Sequence, residues 1–125
     1  MGKKYASDLS ERSIQLAVEG MKILGEIHGC KERDVVKYQL SKSATSIGTN
    51  YKESQSTTRK EFPPKSRISV RQALEHEYRL QTILALEILD KRRVERLSRE
   101  NDKIFKILKT ILRTTSSFAG ANFSV

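Results

Sequence analysis

The 125-residue sequence predicts an all-α protein, an antiparallel up-down-up-down four-helix bundle. Four segments of roughly 20 to 28 residues carry apolar side chains at helical spacing, each long enough to span about 30 Å or more. Short connections between them place consecutive helices side by side. No stretch alternates as a half-buried strand would, and no repeat of roughly 20 to 50 residues competes.

The first helix is expected over about 8–28. Asp8 and Glu11 resemble a capping pair, and Ile14, Ala17, Val18, Met21 and Leu24 follow at helical spacing as its inward face. His28 would sit at its end, where a partly charged imidazole complements the helix dipole, and Gly29 suits the left-handed position beyond.

The second helix, about 32–57, contains the test of the whole scheme. The decapeptide SKSATSIGTN, 41–50, is built largely of poor helix formers that cost an isolated helix about 3 to 4 kcal/mol relative to alanine. Yet Val36, Leu40, Ser43, Ala44, Ile47 and Tyr51 still fall on one face. Small side chains let helix backbones approach closely, and hydroxyls bond back to the preceding turn or across to a neighbour. A crowded helix is therefore expected, not a loop. A second seam, Ser46, Thr49, Asn50, Glu53 and Thr57, suits contact with another helix or subunit; the alternative is a solvated polar face.

Thr58 and Glu61 resemble a cap, but Pro63 and Pro64 follow, so a brief turn at 58–62 is expected before a third helix over about 63–89. Its inward pattern is Ile68, Ala73, Leu80, Ile83, Leu84 and Leu86. The fourth helix, about 93–114, points Leu97, Ile104, Ile107, Leu108, Ile111 and Leu112 inward. Residues 115–125 lose charge and period and read as a mobile tail, unless Phe118 and Phe123 dock on a neighbour.

Composition sets the classes of function. The length fits one domain, 1–125, and 37% apolar against 31% charged residues suits a helical protein with a charged skin, with oligomerisation in view. Cys30 is the only cysteine, which points to a reducing, cytoplasmic setting. No apolar leader opens the chain, and its most apolar stretch, ILALEIL, is short and interrupted by Glu87, so no membrane association is expected.

Nothing suggests catalysis, a metal or a cofactor. His76 lies between Glu75 and Glu77, but adjacent helical residues diverge, and no Glu-x-x-His pair of the di-metal bundles is present. Glu75 reads instead as a helix–helix hydrogen-bonding group, and Tyr38, Tyr51 and Tyr78 as bulk at the bundle edges. Cys30 has no paired histidine, and neither a phosphate-binding Gly-x-x-x-x-Gly-Lys loop nor a Gly-x-Ser-x-Gly elbow occurs. The protein is not expected to be an enzyme.

Charge is more informative. Net charge is +9, and residues 91–125 hold nine bases against three acids. Arg92, Arg96, Arg99, Lys103, Lys106 and Arg113 recur every three, four or seven residues opposite the apolar face of the fourth helix. Such a stripe suits RNA or DNA phosphates, without sequence reading because no aromatics interleave it. The competing interpretation is a solvated face balanced by Glu95, Glu100 and Asp102, and the competing function is a protein–protein scaffold.

QLSKSATSIGTNYKES, 39–54, resembles the motif of four-helix bundle proteins related to those encoded by 23S ribosomal RNA intervening sequences. Gln39, Leu40, Ser43, Ala44, Thr45, Ser46, Ile47, Asn50 and Glu53 match, while Lys42 and Thr49 replace a usual arginine and alanine. The likeness continues through Phe62, Lys65, Ile68, Ala73, Glu75, Tyr78 and Leu80, with departures at Gln72 and Arg79, and closes on Leu97, Glu100, Ile104, Lys106, Ile107 and Leu108. The resemblance implies no reaction and a homo-oligomer, a pentameric ring of bundles. Distantly similar accessory proteins of diversity-generating retroelements form basic pentamers that bind nucleic acid. Ser43, Ser46, Asn50, Glu53, Glu75 and Tyr78 are the helix-packing or interface candidates.

Overall fold

In the computed structural model, which describes residues 3–55 and 62–118, the chain forms four helices: α1, Lys3–Leu24; α2, Lys31–Gln55; α3, Phe62–Leu86; and α4, Lys91–Phe118. Each packs against its neighbour in sequence, and α1 also meets α4, closing a single core. The fold is all-α, and no strand occurs among the described residues.

The decapeptide is helical throughout. Leu40, Ser43, Ala44, Ile47, Tyr51 and Ser54 are buried, so the inward face of α2 is the one its period indicates. Its hydroxyls bond back as expected, Thr45 to the Ser41 carbonyl at 2.9 Å and Thr49 to that of Thr45 at 2.9 Å. The packing that offsets poor propensity is also visible. Ser69 Oγ of α3 donates to the Ile47 carbonyl at 2.7 Å, and a β-carbon added at Gly48 would stand 2.6 Å from Ser13 Oγ of α1. Small residues on both sides of α2 thus admit neighbouring backbones.

α1 departs from expectation in register and in bounds. Its core face is Leu9, Ser13, Leu16, Ala17, Ile23 and Leu24, whereas Ile14, Val18 and Met21 are exposed. Apolar residues cover more than half the helix circumference, so two stripes share the period and only packing decides which is buried. Asp8 and Glu11 lie inside the helix rather than at its cap, since nothing between Lys3 and Ser7 breaks it. It ends at Leu24, where reverse-turn bonds from Glu26 to Ile23 and from Ile27 to Leu24, both 3.0 Å, take over. His28 therefore caps nothing; its carbonyl accepts from Arg33 Nη1 at 2.8 Å. Gly29 does adopt positive φ, 138°.

α3 buries Ala73, Leu80 and Ile83 as expected, but Ile68 and Leu86 are exposed, and Ser66, Ser69 and His76 are buried instead. Close approach to α2 selects serines over larger side chains there. The helix stops at Leu86 rather than near Leu89 because Glu87 takes the left-handed conformation, φ 54°, and frees Ile88 and Leu89 to pack from the connection. Asp90 then caps α4, its carboxylate accepting from the Arg92 N–H at 2.9 Å. α4 continues to Phe118, past the expected end at 114, since no residue in 115–118 breaks a helix. Of the expected turn at 58–62, Phe62 instead opens α3, and its other residues, like the rest of the expected tail, 119–125, lie outside the described residues.

Candidate nucleic-acid interface

α4 separates apolar from basic more cleanly than the other helices. Val94, Leu97, Ile104, Leu108, Ile111 and Leu112 are buried, with Asn101 among them, and Ile107 is half-buried at the margin. Arg92, Arg96, Arg99, Lys103, Lys106 and Arg113 are all exposed on the opposite side, over about 31 Å from first to last.

Pairing distinguishes a free stripe from a balanced one. Of the three expected neutralising acids, only Asp102 acts within the helix, meeting Lys106 at 2.9 Å. Glu100 turns to α1 and pairs with Arg12 at 2.9 Å. Among the described residues, Arg92, Arg96, Arg99, Lys103 and Arg113 have no carboxylate within ion-pair distance. Arg93, off the stripe, is held by Glu26 at 2.6 Å.

Beside the stripe runs a groove of about 1030 Å³ between α1 and α4. Arg96, Arg99 and Lys103 line one wall; Asp8, Glu11 and Glu19 line the other, and the Arg12–Glu100 pair crosses it. A second, mostly apolar groove of about 530 Å³ separates α1 from α2. Ile14, Val18 and Met21, 56%, 41% and 51% exposed, form its α1 wall, and Ala44, Gly48 and Lys52 its α2 wall. Sequence reasoning missed this surface because it assigned that stripe to the core.

The interface candidates do not converge on the basic stripe. Ser43 is buried and donates to the Leu40 carbonyl at 3.0 Å. Ser46 and Asn50 are half-buried, bonded back to Lys42 at 2.6 Å and to Ser46 at 2.7 Å, and Glu53 is exposed beside them on α2. On α3, Glu75 is exposed and makes no helix–helix hydrogen bond, which corrects its expected role: two residues on, Glu77 accepts from Ser98 of α4 at 2.7 and 2.9 Å. Helix rotation explains the exchange, since Glu77 and not Glu75 lies toward α4. Tyr78 is 68% exposed, its ring 5.8 Å from the Arg79 guanidinium carbon. Tyr51, by contrast, is buried, and Tyr38 exposed.

His76, central to the question of a metal, is fully buried. Its Nδ1 lies 2.9 Å from Asn101 Oδ1, while Asn101 Nδ2 donates to the Ala73 carbonyl at 3.0 Å. With the amide nitrogen committed as donor, Oδ1 accepts and Nδ1 carries the proton. Nε2 is buried without a partner. Burial lowers the His76 pKa, opposed by the Asn101 hydrogen bond and the Glu77 charge. Among the described residues no group of three His, Cys, Asp or Glu side chains could hold a metal ion. Cys30 is exposed before α2; its interaction with Glu32, followed by Glu32's own backbone N–H, holds that carboxyl below its ordinary value. No described helix is long and apolar enough to cross a membrane.

Comparison with known proteins places these features in context. The family model described as 23S rRNA-intervening sequence protein matches residues 6–110. Among solved structures, a Bacteroides thetaiotaomicron protein of unknown function from the S23 ribosomal protein family is similar, with 25% identity and a TM-score of 0.77 over 86% of this chain and 97% of that one. No curated protein matches at a significant level.

Proposed function

Starting from the fact that this chain belongs to the 23S rRNA-intervening sequence protein family, we propose that it is a non-enzymatic, homo-oligomeric accessory protein that binds nucleic acid without sequence preference. The observation that carries the reading is the exposed, largely unpaired stripe of α4. Charge left free of intramolecular partners is available to neutralise phosphates and release their counterions. Repetition of the stripe around a ring would multiply a modest patch into an extended field.

The same reading takes the four helices as an antiparallel bundle. Arg12 with Glu100 and Glu26 with Arg93 support it, since the pairs advance from α1 to the turn just beyond its end while receding along α4. Assembly is supported by Ile14, Val18 and Met21, an apolar stripe wider than isolated exposed residues would give. Its setting in this reading is the cytoplasm.

Filter binding of labelled RNA and DNA at two salt concentrations tests the function. Affinity should fall steeply with salt, by close to one log–log unit per phosphate neutralised. Changing Arg92, Arg96, Arg99 and Lys103 to Glu should abolish binding. Unchanged binding moves the site elsewhere; no binding by the native chain at low salt leaves the protein–protein scaffold as the better reading.

A further inference from the structure

We propose that the α4 stripe takes its nucleic acid as a duplex, DNA or RNA, in preference to a single strand; this rests on the nucleic-acid reading above and narrows its ligand. The first ground is shape. Arg92, Lys106 and Arg113 stand on the crest of a helix, opposite its buried face, and Arg96, Arg99 and Lys103 beside them form the near rim of the α1–α4 groove. A convex ridge reaches the phosphates of a stiff rod but cannot enclose a flexible strand. Its length, about 31 Å, is close to the ~34 Å of one duplex turn, so a ridge laid across a groove meets phosphates on both sides.

The second ground is the adjoining concavity. A strand would need a channel, and the large groove that Arg96, Arg99 and Lys103 border runs between α1 and α4, with Asp8, Glu11 and Glu19 on its far wall. Those carboxylates repel a polyanion entering the groove, and Arg12–Glu100 bridges it. Phosphates are therefore confined to the crest and the basic rim beside it.

The third ground is the lack of a stacking platform. Single-strand binders draw affinity from aromatic faces on which bases stack. Neither the stripe nor the groove lining includes an aromatic side chain. On α4, Phe105 is half-buried against the core with Lys109 Nζ 5.3 Å from its ring centre, and exposed Tyr38 and Tyr78 belong to α2 and α3.

Anisotropy titrations of the full chain at fixed low salt, against DNA and RNA duplexes of about 30 base pairs and their unstructured component strands, test the inference. A duplex should bind at least tenfold tighter than its own strands, and Arg96→Glu with Lys103→Glu should remove most of that difference. Preference for one duplex chemistry over the other supports the inference and identifies the source. Single strands binding equally or better overturn it while leaving nucleic-acid binding intact, as does duplex preference that survives the double substitution. Failure to bind any of the four overturns the underlying function instead.

Discussion

His76 Nδ1 lies 2.9 Å from Asn101 Oδ1, joining α3 to α4 inside a core whose other buried polar side chains, among the described residues, are serines. Burial is the largest influence on this imidazole and depresses its pKa below the ordinary value. The unfolded chain then binds the proton more readily than the folded one, so stability contributed by neutral His76 is intact above the unfolded pKa of about 6.5 and is lost as pH falls below it toward the folded pKa. Urea unfolding at pH 7.5 and 5.0 should show the loss. His76→Gln keeps a donor for Asn101 but cannot titrate, and should lose less over the same interval. Equal losses in the two proteins would rule out His76 as the source.

Gly48 and Ser13 set the approach of α1 to α2. A β-carbon at Gly48 would meet Ser13 Oγ at 2.6 Å and Cβ at 3.3 Å. Gly48→Ala gains about 1 kcal/mol of helix propensity but incurs roughly 1 to 3 kcal/mol of overpacking. Removing the hydroxyl with Ser13→Ala should relieve most of that strain, making the double variant about 1 kcal/mol more stable than Gly48→Ala alone. Denaturant unfolding of the four members of the cycle measures the coupling; simple additivity would mean the contact imposes no constraint.

Glu87 ends α3 at a φ of 54°, a conformation that costs a side-chain-bearing residue about 1 kcal/mol. It lies beyond the last helical residue, so glycine there loses no helix propensity. Glu87→Gly should raise stability by about 0.5 to 1 kcal/mol, read as a higher urea midpoint with unchanged slope. A lower midpoint would mean the Glu87 side chain supports the connection in some other way.

The contrast between α2 and α1 explains how much the sequence reveals. In α2, one apolar row interrupts a polar helix, so Leu40, Ala44, Ile47 and Tyr51 could be assigned to the core from period alone. In α1, Leu9–Leu16–Ile23 and Ile14–Val18–Met21 both repeat at seven or three to four residues, and nothing local ranks them. The α4 stripe was legible because its six bases and the apolar row fall on opposite sides of the helix. That all of it but Lys106 is free of ion pairs among the described residues was not, because Glu100 looks like an intrahelical partner until Arg12 arrives from a segment 88 residues away. His76 was obscured for a similar reason: two flanking glutamates make it look exposed, and only Asn101 and the close approach of α4 bring it inside.

That misassigned stripe of α1 yields the last prediction. Ile14, Val18 and Met21 are 56%, 41% and 51% exposed and border the apolar groove shared with Ala44 and Gly48. Were they core residues, a charge there would unfold the chain; as a surface for another copy, they should accept charge with the fold intact. Val18→Glu with Met21→Glu should therefore keep the helical circular dichroism and shift solution mass toward the 14.3 kDa monomer. Loss of helicity would restore the stripe to a core role. An unchanged oligomer would place the subunit contact on another face, with the half-buried Ser46 and Asn50 of α2 the next to test by bulky substitution.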